Sequence, residues 1–293
     1  MKGHVLALVT VLVWAVTFVS TKVLLVHLSP IEILFLRFVV GFLALMALRP
    51  RRLRLARRSQ EGWFALAGAT GVALYYLLEN IALTFSSASM VGVVVAAAPL
   101  FTGILSALLL KRRPRAAFFL GFAVAMTGVV LVSFGGGAFA RGLAEEAGFE
   151  AAGVLLALAA ALTWAAYSLV TDKIASFGLD GVLVTRRTFA WGLLFMALAL
   201  PFFGFSPDWA SLALPEVWGN LAFLGLGASA LCFVTWNLAV GKLGPVTASL
   251  YIYLVPALTV LASALVLGEP LTPPVIVGVL LTVGGLALSE RGR

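Results

Sequence analysis

The sequence predicts an all-α membrane protein of ten transmembrane helices, arranged as two inverted five-helix halves with both termini cytoplasmic. Three observations predict it: a composition too apolar for a water-facing shell, ten apolar stretches of spanning length, and a repeat that relates one half of the chain to the other.

Of 293 residues, 62% are hydrophobic and 11% are charged, and the mean hydropathy is +1.10. A soluble domain carries roughly 25% charged residues, so lipid must be the solvent for much of this surface. The net charge of +8 does not point to nucleic acid, because the basic residues gather in short links between apolar runs. Arg49, Arg51, Arg52, Arg54, Arg57 and Arg58 form one cluster, and Lys111, Arg112, Arg113 and Arg115 another. Cys232 is the single cysteine, which excludes an intrachain disulfide framework and a cysteine-based metal site. The first apolar run starts at Gly3 and outlasts a signal-peptide core without a small-residue cleavage site, so it is expected to persist as the first membrane helix.

A helix needs about 20 mostly apolar residues to cross the hydrocarbon core. Segments 3–26, 30–48, 62–84, 88–110, 115–134, 150–171, 181–203, 217–240, 247–267 and 272–289 meet that need. Breakers mark the links: Ser29-Pro30, Gly135 to Gly137, and Pro270 to Pro274. These links are too short to hold a soluble catalytic domain. The longest, 204–216, contains Pro and Trp and is expected at the interface.

Orientation follows from the placement of Lys and Arg. With the N-terminus inside, the cytoplasmic links hold Lys2, both basic clusters, Lys173, Lys242, Arg291 and Arg293. The other side holds Arg141 and, near a helix end, Lys22, while Glu145, Glu146, Glu150, Asp208, Glu216 and Glu269 fall on or near it.

The chain also aligns with itself. At a shift of 157, residues 80–131 fall on 237–288 without a gap. Asn80 meets Asn237, Pro99 meets Pro256, Thr102 meets Thr259, and Gly121 and Gly128 meet Gly278 and Gly285. At a shift of 150, Trp14-Ala15 meets Trp164-Ala165, Thr21 meets Thr171 and Arg37 meets Arg187. Matches of Leu, Ala and Val are cheap in such a chain; those of Asn, Pro, Gly, Trp and Arg carry the inference. Five helices per half is an odd number, so the second half enters the membrane from the opposite side. The expected division is a first repeat at 1–134, a periplasmic linker at 135–149 and a second repeat at 150–293. Inverted repeats recur in secondary transporters, with the substrate near the midplane at the repeat interface.

The Trp in the first helix of each half, the Asn in the third, the Pro in the fourth, the turn Gly268-Glu269-Pro270 and the glycines of the fifth helix together resemble the drug/metabolite transporter superfamily, specifically its EamA-type ten-helix members. The resemblance covers the whole chain, with one departure: Arg112-Arg113-Pro114 stands where the second half has Gly268-Glu269-Pro270. It implies efflux of amino acids, other small metabolites or toxic compounds across the cell inner membrane.

Polar and aromatic groups at membrane depth are expensive, which makes each a candidate for function. Glu79 is the carboxylate placed well inside a predicted span. Tyr75 shares its helix face at i, i+4, as Tyr76 does with Asn80. On the eighth helix Trp236 and Asn237 match Glu79 and Asn80. Trp14 and Trp164 are too deep for an interfacial belt and, with Tyr167 and Tyr251, are assigned to the walls of a central binding cavity. Tyr251 and Tyr253 cannot both face that cavity. Pro99 and Pro256 are read as hinges, because proline frees a backbone carbonyl and bends a helix. Arg37 and the pair Arg186-Arg187 lie inside helices two and seven, and Arg37 and Arg187 are read as gate or structural charges. Gly121, Gly128, Gly278, Gly284 and Gly285 are expected to permit close helix packing.

The reading is a secondary transporter that exports small metabolites such as amino acids by alternating access, with a small-molecule substrate and membrane lipid as partners and a monomer as a sufficient unit. A lipid or lipid-linked-precursor flippase is the alternative. An intramembrane enzyme is disfavoured: His4 and His27 are the only histidines, and neither a His-Glu-x-x-His motif nor an Asp pair within a span is present. No Walker A pattern occurs, so no nucleotide, metal or other cofactor is expected. Proton antiport, facilitated export and exchange are all compatible with these residues.

Overall fold

The computed structural model describes residues 2–109, 111, 115–135, 147–267 and 271–291. The turns Arg112-Arg113-Pro114 and Gly268-Glu269-Pro270, and the interior of the 135–149 linker, lie outside them. The helices are α1 (Lys2–Leu24), α2 (Pro30–Leu48), α3 (Glu61–Gly68), α4 (Tyr75–Phe85), α5 (Ala88–Val95), α6 (Ala98–Leu109) and α7 (Ala116–Gly135). After the link come α8 (Ala147–Ala175), α9 (Gly181–Phe203), α10 (Pro215–Ala222), α11 (Cys232–Leu243), α12 (Pro245–Leu250), α13 (Leu254–Leu267) and α14 (Pro273–Arg291). Among the described residues seven helices are long and apolar enough to cross a membrane, and three further apolar helices are shorter.

Local sequence explains the boundaries. Pro30, Pro215, Pro245 and Pro273 each open a helix at its first position, where the missing N–H has no helical partner to lose. Glu32 reaches back to accept from the Ser29 backbone N–H at 2.8 Å, closing the start of α2. Gly204 and Gly244, at φ of +69° and +79°, end α9 and α11 in a conformation that side chains resist.

Two spanning helices contain π-helical segments in corresponding places. Ala69–Leu74 joins α3 to α4, and Phe223–Leu231 joins α10 to α11. A π-segment widens the helix and frees carbonyls from the i−4 ladder. One of them, the Ala228 carbonyl, accepts from Trp14 Nε1 at 2.9 Å.

The prolines are placed differently from a mid-helix kink. Pro99 is the second residue of α6, which starts after a break from α5, and Pro256 is the third residue of α13, which follows a 3₁₀ turn at Tyr251–Tyr253. Each span is interrupted before its proline, so the ring falls in a first turn and no helical hydrogen bond is lost there.

The halves meet through glycines. A Cβ on Gly121 would come within 2.6 Å of the Gly285 carbonyl, and one on Gly128 within 2.3 Å of the Gly278 carbonyl, so α7 and α14 cross antiparallel at backbone contact. That crossing maps onto itself when residue 121 exchanges with 278 and 128 with 285, as a two-fold axis requires. Gly284 corrects the sequence expectation: a Cβ there meets nothing within 4 Å. Two more contacts share the symmetry, Gly41 against the Gly225 carbonyl and Gly68 against Gly192. They set the register between α2 and α9 at 151 rather than 150, and in it Phe38 pairs with Phe189, ring centroids 4.8 Å apart. Arg37 and Arg187 are therefore offset by one position, and about 100° of helical rotation per residue sends them to different surroundings.

Candidate functional site

The site grows from aromatic side chains that the spanning helices turn inward. Trp14 of α1 meets Trp164 of α8 edge to face at 5.0 Å and Trp236 of α11 at 5.1 Å. Tyr75 stacks against Trp164 at 4.8 Å and Tyr76 at 4.6 Å, and Tyr167 closes on Trp164 at 5.0 Å. Edge-on and tilted ring packing of this kind is favourable beyond the apolar area it buries. Trp14, Tyr75, Tyr76, Trp164, Tyr167 and Trp236 are all buried.

Above this cluster, toward the end of the bundle away from the start of α1, a narrow cavity with free space for about one water molecule is lined by Trp14, Thr17, Phe18, Tyr75, Tyr76, Glu79, Val95, Trp164, Ile252 and Val255. Glu79 is its charged wall residue. The side chain is 1% exposed, lies beside the Tyr75 hydroxyl and within electrostatic reach of Arg37, and its Oε1 has no hydrogen-bond partner among the described residues. A second cavity, about 600 Å³, lies toward the start of α1 and is lined by Thr171, Ile174, Val184, Asn237 and Lys242 among others. Lys242 is the marker of that end, since it packs beside Gly3.

Asn80 and Asn237, equivalent in sequence, take different partners. Asn80 Nδ2 donates to the Pro30 carbonyl at 3.0 Å. Asn237 accepts from the Tyr167 hydroxyl at 2.6 Å and donates to Thr185 Oγ1 at 3.1 Å, placing it between the aromatic cluster and the second cavity.

Arg37 is fully buried. Its Nε donates to Ser229 Oγ at 3.1 Å and its guanidinium lies 4.4 Å from the centroid of the Tyr76 ring. Neither Nη has a hydrogen-bond partner among the described residues. Burying an arginine this way is costly, and stacking on a ring face recovers part of that cost.

Arg187 stands at the other extreme. It forks onto Glu61 with two 2.8 Å bonds, and Trp191 Nε1 donates to the same carboxylate. Nearby, Arg49 pairs with Asp180 at 3.1 Å, and Arg186 donates to the carbonyls of Arg49 and Arg51. These bonds clasp the two halves together at the end where α1 begins. At the opposite end, Glu32 accepts from the Ser206 N–H at 3.0 Å, Ser20 donates to Asn220 at 2.6 Å, and His27 lies 3.2 Å from Glu216. Lys22, expected near this end, donates to the Leu83 and Ser86 carbonyls at the close of α4.

Tyr251 does not join the central cluster; its hydroxyl meets His4 Nδ1 at 2.7 Å. The cavity takes Ile252 from that turn instead. Sequence reasoning missed Ile252, Val255, Thr17, Phe18 and Ser229, and also Phe233, whose ring lies 5.0 Å from Phe189 and 5.7 Å from Phe38. With 21 phenylalanines in the chain, one more carries no signal by itself.

The two-fold arrangement of this bundle has a counterpart in known proteins. A family model describing an EamA-like transporter family matches residues 1–134 and again 151–290. The chain belongs to the EamA-like transporter family. It is a multi-pass membrane transporter and not an enzyme. It is 27% identical to an uncharacterized transporter of Archaeoglobus fulgidus, over 98% of this chain and 97% of the other. It is 30% identical to a probable terminal-alkyne amino-acid exporter of Streptantibioticus cattleyicolor, over 96% and 91%. A protein of known crystal structure shares the EamA transporter's fold with a TM-score of 0.75 at 22% identity, covering 99% of this chain and 96% of that one.

Proposed function

We propose that this EamA transporter exports small amino-acid-like metabolites across the inner membrane by alternating access, as a monomer with ten spans and both termini in the cytoplasm. The repeats at 1–134 and 150–293, joined by a periplasmic linker at 135–149, rock about the central aromatic cluster. The observation that carries the reading is Glu79: a buried carboxylate with an unpartnered oxygen, set among Trp14, Tyr75, Tyr76 and Trp164. An ammonium group suits such a place, because a carboxylate supplies the opposite charge and aromatic faces attract cations. The apolar walls from Phe18, Val95, Ile252 and Val255 suit the side chain of the same molecule.

Trp236 and Tyr167 separate this cavity from the one lined by Asn237, so cargo reaches Glu79 from one side at a time. Release at the other face requires the clasps at one end to part while those at the opposite end hold. Arg187 with Glu61 serves as one gate, Arg37 as a charge held within the moving interface, and the broken spans before Pro99 and Pro256 as hinges. The name of the Streptantibioticus relative favours amino acids within the family's range of cargo.

Counterflow in proteoliposomes tests this reading. Vesicles preloaded with each of a panel of unlabelled amino acids are given labelled tracer of the same compound. Accumulation of tracer for at least one amino acid is expected. Absence of counterflow across the panel, with folded protein in the vesicles, would contradict it.

A further inference from the structure

Apart from Arg187 at its rim, one groove has no part in the proposed transport. It runs between the end of α2 and the start of α9, about 920 Å³ including its open side. Phe42 and Met46 of α2 and Leu183 of α9 form its apolar wall, and Arg52, Arg186 and Arg187 its rim.

Charge at this rim is strongly one-sided. Arg52, Arg186 and Arg187 stand at the groove itself, and Arg49, Arg51, Arg54, Arg57 and Arg58 belong to the same link in the sequence. Among the described residues only Arg49 and Arg187 have carboxylate partners, Asp180 and Glu61. Arg186 is spent on backbone carbonyls, which fixes the course of residues 49–51 over the start of α9 but leaves its charge uncompensated. The next residues alternate: Leu53 and Leu55 are half-buried against the bundle, while Arg52 and Arg54 are exposed. Arg52 is thereby held over the groove, at the level where the apolar span of α2 gives way to charge.

We infer that this groove binds an anionic phospholipid of the adjacent leaflet, its acyl chain against Phe42, Met46 and Leu183 and its phosphate against Arg52 and Arg186. Apolar wall and cationic rim stand in the order in which a lipid presents tail and headgroup. A zwitterionic headgroup leaves the excess charge uncompensated, and a free anion leaves the apolar wall uncovered. Basic pockets between membrane helices take acidic lipids, and a juxtamembrane Arg or Lys near an anionic surface contributes about 1 kcal/mol.

The test uses the purified full chain in detergent, titrated with phosphatidylglycerol, with phosphatidylcholine of the same acyl chains, and with inorganic phosphate. Binding is read by native mass spectrometry and by the melting temperature. Phosphatidylglycerol is expected to give a one-to-one adduct and to raise the melting temperature, with the other two ineffective. Arg52→Gln should weaken the adduct about fivefold. Met46→Glu, a change at an exposed position, should weaken it too, whereas Arg54→Gln, outside the groove, should change it less than about twofold. Three results would overturn the inference: equal binding of both lipids, equal losses from Arg52→Gln and Arg54→Gln, or a phosphate effect that matches phosphatidylglycerol.

Discussion

Trp14 and Trp164, one from each half of the chain, meet edge to face with their centroids 5.0 Å apart and their planes at 88°. They occupy corresponding positions in the repeat, yet their indole nitrogens differ. Trp14 Nε1 donates to the Ala228 carbonyl, which the π-segment leaves available, while Trp164 Nε1 has no partner among the described residues. A symmetric fold thus holds an asymmetric pair.

The asymmetry is measurable. Trp14→Phe removes a buried hydrogen bond and leaves the Ala228 carbonyl without it, so it should cost about 1–2 kcal/mol more than Trp164→Phe, which removes an unpartnered N–H. Thermal or denaturant unfolding of the two variants in one detergent compares them directly.

The crossing of α7 and α14 gives a second contrast. Gly121→Ala and Gly128→Ala each push a methyl into the opposing backbone and should destabilise the protein by about 1–3 kcal/mol. Gly284→Ala, where the added carbon meets nothing, should be neutral or stabilising by up to about 1 kcal/mol. Melting temperatures of the three variants check the order.

Much of this architecture is legible in the sequence, and the reason lies in the kind of residue that carries the signal. Asn, Pro, Gly and Trp are rare enough in an apolar chain for their repeats to mark the two halves, and Glu79 is conspicuous as a carboxylate within a span. The prolines stand out, but the breaks that precede them do not, because Ala96-Ala97 and Tyr251–Tyr253 look like any apolar run. Gly284 is indistinguishable from its glycine neighbours, since sequence does not say which side of a helix meets a partner. The π-segments leave no compositional trace, and the extra residue in each turn rotates the side chains downstream of it. The one-residue offset between Arg37 and Arg187 is invisible because a gapless alignment that pairs the two arginines hides the extra residue between α8 and α9.

The clasp at Glu61 offers a third prediction, with Cys232 as a built-in reporter. Cys232 is buried against the Thr10 carbonyl, so a thiol reagent reaches it only when the bundle opens. Arg187→Lys keeps the charge but loses the two-pronged bond, and its Cys232 should label roughly two- to fivefold faster than wild type. An unchanged labelling rate would remove the clasp from the gating scheme.

Acid should loosen the same end. Partial burial raises the Asp180 carboxyl, but the Leu183 and Val182 backbone N–H groups and the Arg49 guanidinium outweigh it and hold the group below the ordinary Asp range. A depressed carboxyl adds stability that is fully present above its unfolded value of about 3.9 and lost as pH falls through the lower folded value. Asp180→Asn should therefore be less stable than wild type at neutral pH, and the gap should close as pH drops below about 4. Unfolding midpoints across that range supply the comparison.

If Glu79 and its aromatic walls hold the cargo, removing the Glu79 charge must slow transport. Glu79→Gln keeps the shape of the side chain and removes that charge. In proteoliposomes where wild type shows saturable counterflow of an amino acid, Glu79→Gln should run at least about tenfold slower, the loss of about 1.4 kcal/mol of binding or more, from protein that remains folded in the vesicles. Equal flux by variant and wild type would place the cargo elsewhere in the bundle.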